Sequence, residues 1–342
     1  MGRYERLLEL IEEYCTAEQV KALLRTAMGN KNVKVSAASK EELIRENLLN
    51  ALNSHSIDIE KVYDLLREGE ENGPQHIQFL RCVSTDVANQ LKLDHVQETL
   101  SGKPHPLHPR LEVKENDYVI ADIRGWNARK PLDWAVKIYG HEVREEPTGE
   151  VLREQNSPRI LKVFIEREYK YVLLARWNAP DLLELRVPRD ASVTRVDNWF
   201  NILRNFMRHV IPFDRFRPWN LRPTSRTLFD LQDQHKNTYT LGDARLEDSE
   251  HNSITFESFV PDSDLFKAAA TQEAARELLK HDATYKHQRV LWHEQPDERI
   301  ENEISCMIGL RAENEVIFLR HQTSRGIDYV TNQLRAFSKR RT

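Results

Sequence analysis

A chain of 342 residues, of which 39% are hydrophobic and 30% charged, has enough apolar material for two globular domains with a well-solvated surface. No run approaches the roughly 18 consecutive apolar residues of a membrane span. The first residues, MGRYERLLELIEEY, alternate charge with Leu and Ile, unlike the apolar core of a signal peptide. The sequence therefore predicts a cytoplasmic protein without membrane contact.

The net charge of −4 is divided unevenly along the chain. Residues 1–100 contain 12 Lys and Arg against 17 Asp and Glu, a net of −5, which leaves 38 against 37 and a net of +1 for the remainder. Cys15, Cys82 and Cys306 lie far apart without a CxxC pair, which is typical of buried structural thiols in a reducing compartment. The acidity therefore belongs to the N-terminal part.

The N-terminal hundred residues show helical periodicity almost throughout. Thr16 precedes a second helix, Ser39 and Glu42 form a capping box for a third, and a fourth stops at Gly69. A fifth helical stretch follows the EENGP turn and continues to Leu91. Short amphipathic helices with short loops predict an all-α helical bundle over residues 1–98. The apolar stripes are Leu7, Leu8, Leu10, Ile11 and Tyr14; Val20, Leu23 and Leu24; Leu43, Ile44, Leu48, Leu49 and Leu52; Ile57, Ile59, Val62, Leu65 and Leu66; and Ile77, Phe79, Leu80, Val83, Val87 and Leu91.

The capped SKEELIRENLLNAL helix and the acidic DLLREGEENGP turn resemble the death-fold family of adaptor modules, including pyrin-like and bacterial effector-associated domains. The resemblance covers about residues 1–95 and contains no signature motif. It implies a six-helix bundle that binds another protein and has no chemistry of its own.

Residues 99–112 contain the His- and Pro-rich run SGKPHPLHPR, which predicts a linker. Beyond it, residues 113–342 predict an α+β domain with a mostly antiparallel sheet and a subdomain boundary near residues 212–236. Ser263 is the expected N-cap of the second helix in this domain. The expected strands are 118–126, 134–143, 160–177, 182–188, 253–260, 287–294, 303–310 and 315–321, and the expected helices are 196–211, 263–281 and 326–337.

Motifs for common chemistries are missing from the sequence. Neither GxxxxGK[ST] nor GxGxxG occurs, which excludes a P-loop, and the GxSxG elbow of hydrolases is absent. HExxH does not occur either, and His287 and His293 have no third ligand at an obvious spacing. The sequence predicts no catalytic site, no metal and no cofactor.

The most informative local feature is a run of arginines between residues 195 and 226. It contains seven arginines against two acids, Asp197 and Asp214, and Phe213, Phe216 and Trp219 are interleaved with them. Guanidinium groups bind phosphate bidentately, and aromatic rings stack on bases, so the pattern favours nucleic acid. The alternative is that the arginines pair with acids inside the protein. The predicted interface comprises Arg204, Arg208, Arg215, Arg217, Trp219, Arg222 and Arg226 with the C-terminal Lys339, Arg340 and Arg341.

A weak pattern also allows a Mg²⁺-dependent nuclease of the PD-(D/E)xK class. Glu168 and Lys170 lie two residues apart on a predicted strand, with Asp133 or Glu150 upstream as the first acid. Alternating charges on a solvated sheet face produce the same spacing.

The sequence as a whole favours a modular, non-enzymatic protein that binds nucleic acid and recruits a protein partner through its N-terminal part. One alternative is a structural adaptor or complex subunit that binds only proteins, because a small helical module before a sheet domain resembles the kinetochore CENP-N family in organisation. The other alternative is the nuclease.

Overall fold

The computed structural model describes most of the chain, with short gaps. The described residues are 4–27, 37–101, 109–126, 132–153, 160–190, 192–258, 264–298, 300 and 302–340. The central part of the predicted linker, residue Ser263 and residue Arg341 lie outside them. In the described part, no helix is both long and apolar enough to cross a membrane.

The N-terminal helices pack around a small apolar core of their own. Its members include Leu8, Ile11, Leu24, Leu48 and Leu66. The Ser39 hydroxyl accepts a hydrogen bond from the Glu42 amide, as the capping box predicts. The helices are α1 (Glu5–Tyr14), α2 (Ala17–Ala27), α3 (Lys40–Glu42), which continues through a π-helical segment (Leu43–Leu48) into α4 (Leu49–Asn53), and α5 (Ile59–Glu71).

Helix α5 does not stop at Gly69, and the prediction that it ends there is wrong. The helix continues to Glu71, and Gly69 is buried against α1. A Cβ atom at residue 69 would lie 2.7 Å from Cys15 Sγ and 2.9 Å from the Tyr14 carbonyl oxygen. The glycine therefore permits close packing of two helices and does not break one.

The predicted division into an all-α bundle domain and an α+β domain is wrong. Residues 75–82, expected to open the fifth helix, form strand β1 (Gln75–Cys82) in the interior of a sheet. The run HIQFLRC alternates apolar and polar residues only over its first four positions, so its helical and strand periodicities look similar. The N-terminal helices thus lead directly into the sheet, with no helical bundle domain before it.

A single antiparallel sheet contains the eleven strands of the described chain. Ten of them follow the order β2-β3-β4-β5-β1-β11-β10-β9-β7-β8. Strand β6 pairs with the last residues of β1, whereas β11 pairs with the first ones. Sequence reasoning missed β1, β6 and β7. The remaining strands are β2 (Tyr118–Gly125), β3 (Trp134–Arg153), β4 (Ile160–Asn178), β5 (Leu182–Pro188), β6 (Phe216–Pro218), β7 (Tyr239–Glu247), β8 (Ser253–Phe256), β9 (Thr284–Trp292), β10 (Ile304–Ile308) and β11 (Glu315–Phe318).

The two faces of the sheet have separate apolar cores because side chains alternate along each strand. On β1, Ile77 and Phe79 belong to one core and Leu80 to the other. Helix α8 covers the Leu80 face, whereas α9, α10 and α11 cover the Phe79 face. The remaining helices are α6 (Thr85–Gln90), α7 (Leu93–Ser101), α8 (Val193–Met207), α9 (Arg222–Leu231), α10 (Ala269–Lys280) and α11 (Ser324–Lys339).

The segment from 212 to 230, which the sequence left irregular, contains both β6 and α9. Pro223 occupies the first turn of α9, where the missing amide hydrogen costs nothing. Helix α10 begins later than expected, after a short 3-10 turn that Asp264 caps. Sequence reasoning treated the prolines of residues 212–230 as breaks in regular structure, whereas Pro218 ends β6 and Pro223 lies in the first turn of α9.

Strands β3 and β4 extend well beyond their neighbours. They pair from Trp134↔Trp177 to Arg153↔Ile160, whereas β2 pairs with β3 only as far as Gly140, and β5 pairs with β4 only from Leu174. We call residues 143–153 and 160–168 the β-arm. It is a two-stranded ribbon of about 30 Å that projects from the sheet.

Candidate functional site

The structure distributes the predicted arginines over both faces of the sheet. Arg204 lies on α8 and Arg208 directly follows it, on the Leu80 face. Arg204 is half-buried and donates to the Gln78 side chain at 2.5 Å, and burial lowers its pKa. Arg208 is exposed at the end of the helix, beside His209. These two arginines do not share a surface with the remaining predicted residues.

Arg222 and Arg226 belong to α9, on the opposite face of the sheet. Arg226 Nε is 3.0 Å from both carboxylate oxygens of Asp230, and Nη1 donates to the Leu279 carbonyl. Arg222 is half-buried in the first turn of the helix. Arg226 thus has the internal acidic partner that the alternative interpretation expected.

Arg217 occupies a different setting, because β6 pairs with the end of β1. Arg217 is directly opposite Arg81 in this antiparallel pair, so both side chains point to the Phe79 face, the face that α11 covers. Arg81 donates to the Ser338 hydroxyl, in the last turn of α11, at 3.4 Å. Strand pairing thus places the exposed Arg217 beside the C-terminal end of α11.

The last turns of α11 add further cations at this point. Arg335 pairs with Asp181 at 2.9 Å, and Lys339 is exposed. Arg340, just after the helix, lies over the Phe337 ring and contacts His235 Nε2 at 2.6 Å. Burial, and then the Arg340 charge, lower the pKa of His235, so its ring is neutral at pH 7 and accepts this hydrogen bond.

We call this cluster the α11 basic end. It comprises Arg81, Arg215, Arg217, Arg335, Lys339 and Arg340. Arg215 lies on the turn before β6 and forms an exposed pair with Asp214 at 3.5 Å. Among its arginines, Arg215 pairs with Asp214 and Arg335 with Asp181. Burial lowers the pKa of Arg81, and of its charged neighbours Asp181 raises it and Arg335 lowers it.

Aromatic side chains near the α11 basic end are not exposed for stacking. Trp219 is 4% exposed, packs edge-to-face on Phe79 and has the Arg81 guanidinium 4.4 Å above its ring. Phe216 is buried, and Phe213 is half-buried against the core under α8. The surface therefore offers charge and not ring faces.

A second cluster of charged residues lies toward the other end of α11, and we call it the buried ion cluster. Glu184 is fully buried between two guanidinium groups: Arg186 Nε lies 2.9 Å and Arg176 Nε 3.9 Å from its Oε2. Arg176 also pairs with Asp328 of α11 at 2.7 Å. The two guanidinium charges here outweigh burial: Arg186 and Arg176 hold the pKa of Glu184 below its usual range, although desolvation alone would raise it.

The same ion cluster connects α5 to the sheet. Glu71 binds Arg124 at 2.5 Å, and Glu70 binds the buried Lys137 at 2.8 Å. A cavity of about 660 Å³ lies between α5, α11 and the sheet, and Glu71, Arg124, Arg176 and Arg186 contribute to its wall. Its arginines are largely compensated by neighbouring carboxylates.

The residues of the nuclease alternative are far apart. Glu168 is opposite Val143 on β3, whereas Asp133 precedes that residue by ten positions, about 34 Å along an extended strand. Glu150 follows Val143 by seven positions, about 24 Å. In the part of the chain that the structure describes, no three His, Cys, Asp or Glu side chains are grouped to hold a metal ion. Glu168 and Lys170 thus have no third ligand among these acids.

Sequence reasoning did not identify Arg81 and Asp181 as parts of a site, whereas Arg335 was already part of the basic C-terminal tail that it singled out. Arg81 was assigned to a helix, and its relation to Arg217 depends on a strand pairing between segments 136 residues apart. The only local signal was that Arg81 follows the mostly apolar run of residues 77–80, whose β-branched and aromatic residues are typical of a strand. Comparison with known proteins adds no assignment, because no family model and no curated protein matches the chain.

Proposed function

We propose that the chain binds nucleic acid through the α11 basic end, chiefly by contacts to phosphate. The observation that supports the proposal is the register of β6 on β1, which places Arg217 beside Arg81 and both beside the last turn of α11. Two segments distant in sequence thereby form one cationic surface. Cations at a helix C-terminus are also stabilised by the helix dipole, which lowers the cost of collecting them there.

The lack of exposed rings defines the binding mode. Since Trp219 and Phe216 are buried, bases have no stacking platform at this surface. Contacts to phosphate carry little sequence information and release counterions, so we expect weak sequence preference and strong dependence on salt. Six phosphate contacts correspond to a slope of log affinity against log salt of about −5 on duplex DNA.

A filter-binding titration at several salt concentrations tests the proposal. The test variant replaces Arg217, Lys339 and Arg340 with Gln, since all three are exposed. We expect weaker binding to any duplex and a slope smaller by about two to three. Arg208→Gln is the matched control, because this exposed arginine of the same predicted segment lies across the sheet. Equal effects of both variants, or no salt-dependent binding by the unmodified chain, contradict the proposal.

We also infer that the N-terminal helices recruit a protein partner and that the protein acts inside the cell. Exposed acids on these helices, including Glu13, Glu18, Glu41 and Glu46, support a basic or polar partner. The three cysteines are free thiols, which suits a reducing compartment. Crosslinking the full chain in cell extract, with and without nuclease treatment, tests this. Partners that disappear with nuclease treatment are held by nucleic acid and count against recruitment by the helices.

A further inference from the structure

The β-arm has one protected and one unprotected edge. On β3, Pro147 and a register shift between Pro147 and Val151 interrupt the strand, and Gly149 there has a φ of 81°. Prolines and bulges of this kind prevent edge-to-edge pairing. On β4, residues 160–168 contain neither Pro nor Gly, and none of the described strands pairs with their outer edge.

The backbone of β4 presents its hydrogen-bonding groups at this open edge in a defined order. The Val163 carbonyl accepts from the Thr148 hydroxyl, so Val163 faces β3. Since neighbouring residues alternate, the amide and carbonyl of Phe164 face outward. Phe164 is opposite Pro147, in a pair whose backbone groups point away from each other. Lys162, Phe164 and Glu166 therefore present free backbone groups to an incoming strand.

The side chains at this edge are exposed and apolar at their centre. Phe164 is 51% and Ile165 39% exposed, although Phe is among the residues that proteins most often bury. A two-stranded ribbon is marginally stable by itself, and a third strand stabilises it. The edge thus has both the hydrogen-bonding groups and the apolar surface for strand addition.

The sequence of the edge is complementary to itself. We propose that the open edge of β4 pairs antiparallel with the same edge of a second copy of this chain, centred on Phe164. In this register Phe164 is opposite Phe164 of the second copy, Val163 is opposite Ile165, and Lys162 is opposite Glu166. Each of the last two pairs occurs twice by symmetry, so opposite charges flank an apolar centre on both sides.

The two-fold arrangement closes on itself. Each copy uses the unprotected edge of its β-arm, and the outer edges of the resulting four-stranded ribbon are the β3 edges that Pro147 protects. The interface is therefore a dimer and not an open chain of copies. It does not involve the α11 basic end, which lies beyond the opposite end of β4, next to Asp181.

Charge exchange tests this pairing. In sedimentation equilibrium without nucleic acid, we expect the unmodified chain to dimerise reversibly. Lys162→Glu and Glu166→Lys each place like charges opposite one another twice, and we expect each to raise the dissociation constant about tenfold. A mixture of the two single variants, or the double variant by itself, restores opposite charges and dimerises like the unmodified chain.

Two further variants separate the pairing from other causes. Phe164→Pro removes an outward amide without removing a hydrogen bond to β3, and we expect it to be monomeric with an unchanged thermal midpoint. Lys280→Glu changes an exposed charge on α10, and we expect it to leave the dimer intact. A monomer at every concentration, or a dimer that tolerates Lys162→Glu and Phe164→Pro, overturns the proposal and leaves nucleic-acid binding untouched.

Discussion

The arginines near the two ends of α11 differ in how far they are buried and in how many carboxylates surround them. In the buried ion cluster, Arg176 and Arg186 are almost inaccessible and share Glu184, and Arg176 also pairs with Asp328. At the α11 basic end, Arg217, Lys339 and Arg340 are exposed. Carboxylates pair with both arginines of the first group, whereas the described ion pairs include none for Arg217 or Arg340. Counting arginines along the sequence does not separate these cases, because the difference is in the number of carboxylates that the fold brings to each.

The difference has an energetic consequence. A buried charge loses its hydration and depends on its partner, so removing the partner is costly. An exposed charge keeps its water and contributes little to folding, so it is available for a ligand. We therefore expect substitutions in the buried ion cluster to change stability and substitutions at the α11 basic end to change binding.

Glu184→Gln should give the largest effect and separates the two ends most directly. It leaves two buried guanidinium groups without their shared carboxylate, and we expect a loss of about 3 to 5 kcal/mol in the free energy of unfolding. Urea unfolding followed by circular dichroism measures it. Arg217→Gln serves as the counterpart and should leave the urea midpoint unchanged. Comparable losses in the free energy of unfolding for both variants would contradict the distinction between the buried ion cluster and the α11 basic end.

Acid should weaken the buried ion cluster before it affects the α11 basic end. Burial raises the pKa of Glu184 and Glu71, but neighbouring cations outweigh it and hold both below the ordinary 4.5. Their stabilisation is therefore complete above about pH 4.5 and is lost as the pH falls from there through the folded pKa values. Glu70 does not add to this loss, since burial raises its pKa.

We expect the free energy of unfolding to fall by up to about 1.4 kcal/mol per pH unit for each proton taken up in this range. Urea unfolding at a series of pH values from 7 to 3 measures the slope, and Glu184→Gln should make it shallower. The arginines remain charged throughout. A slope that Glu184→Gln does not alter would mean that other carboxylates control acid unfolding.

Local patterns predicted much of the secondary structure and little of its assembly. The Ser39 capping box and the strand content of residues 160–177 are local signals, and both elements form as expected. The strand at 75–82 was misread because its apolar residues fit two periodicities, and β6 was missed because it is three residues long and Pro218 is one of them. These two errors also concealed the pairing of Arg81 with Arg217.

The arginine segment shows why a site is harder to predict than an element. Arg204, Arg217 and Arg226 are close in sequence, yet one binds Gln78 of β1, one is exposed, and one pairs with Asp230. Whether an arginine is free depends on long-range contacts that no local pattern reveals. Trp219 lies in the same segment and is buried for the same reason, since the pairing of β6 with β1 directs its ring into the core.

Binding should respond to single exposed cations at the α11 basic end by a moderate amount. We expect Arg217→Gln to reduce duplex affinity at low salt and to reduce the salt slope by about 0.9, the share of one phosphate contact. The same change at Arg226, which already has Asp230 as its partner, should leave the slope unchanged. A filter-binding titration over a salt series measures both. An equal decrease in slope for the two arginines would place the interface on α9 as well.

The smallest expected effect comes from removing an acid at the α11 basic end in place of a cation. Asp181 is the acid that pairs with Arg335 at the α11 basic end, and Asp181→Asn removes its charge while preserving its shape. An exposed ion pair is worth about 0.2 to 1 kcal/mol, so releasing Arg335 should raise duplex affinity by about 1.4- to 5-fold. Asp230→Asn frees Arg226 on α9 in the same way and is the matched control. Because the two variants remove the same charge from the whole chain, a gain confined to Asp181→Asn assigns the effect to the α11 basic end, whereas equal gains would show that total charge alone governs binding.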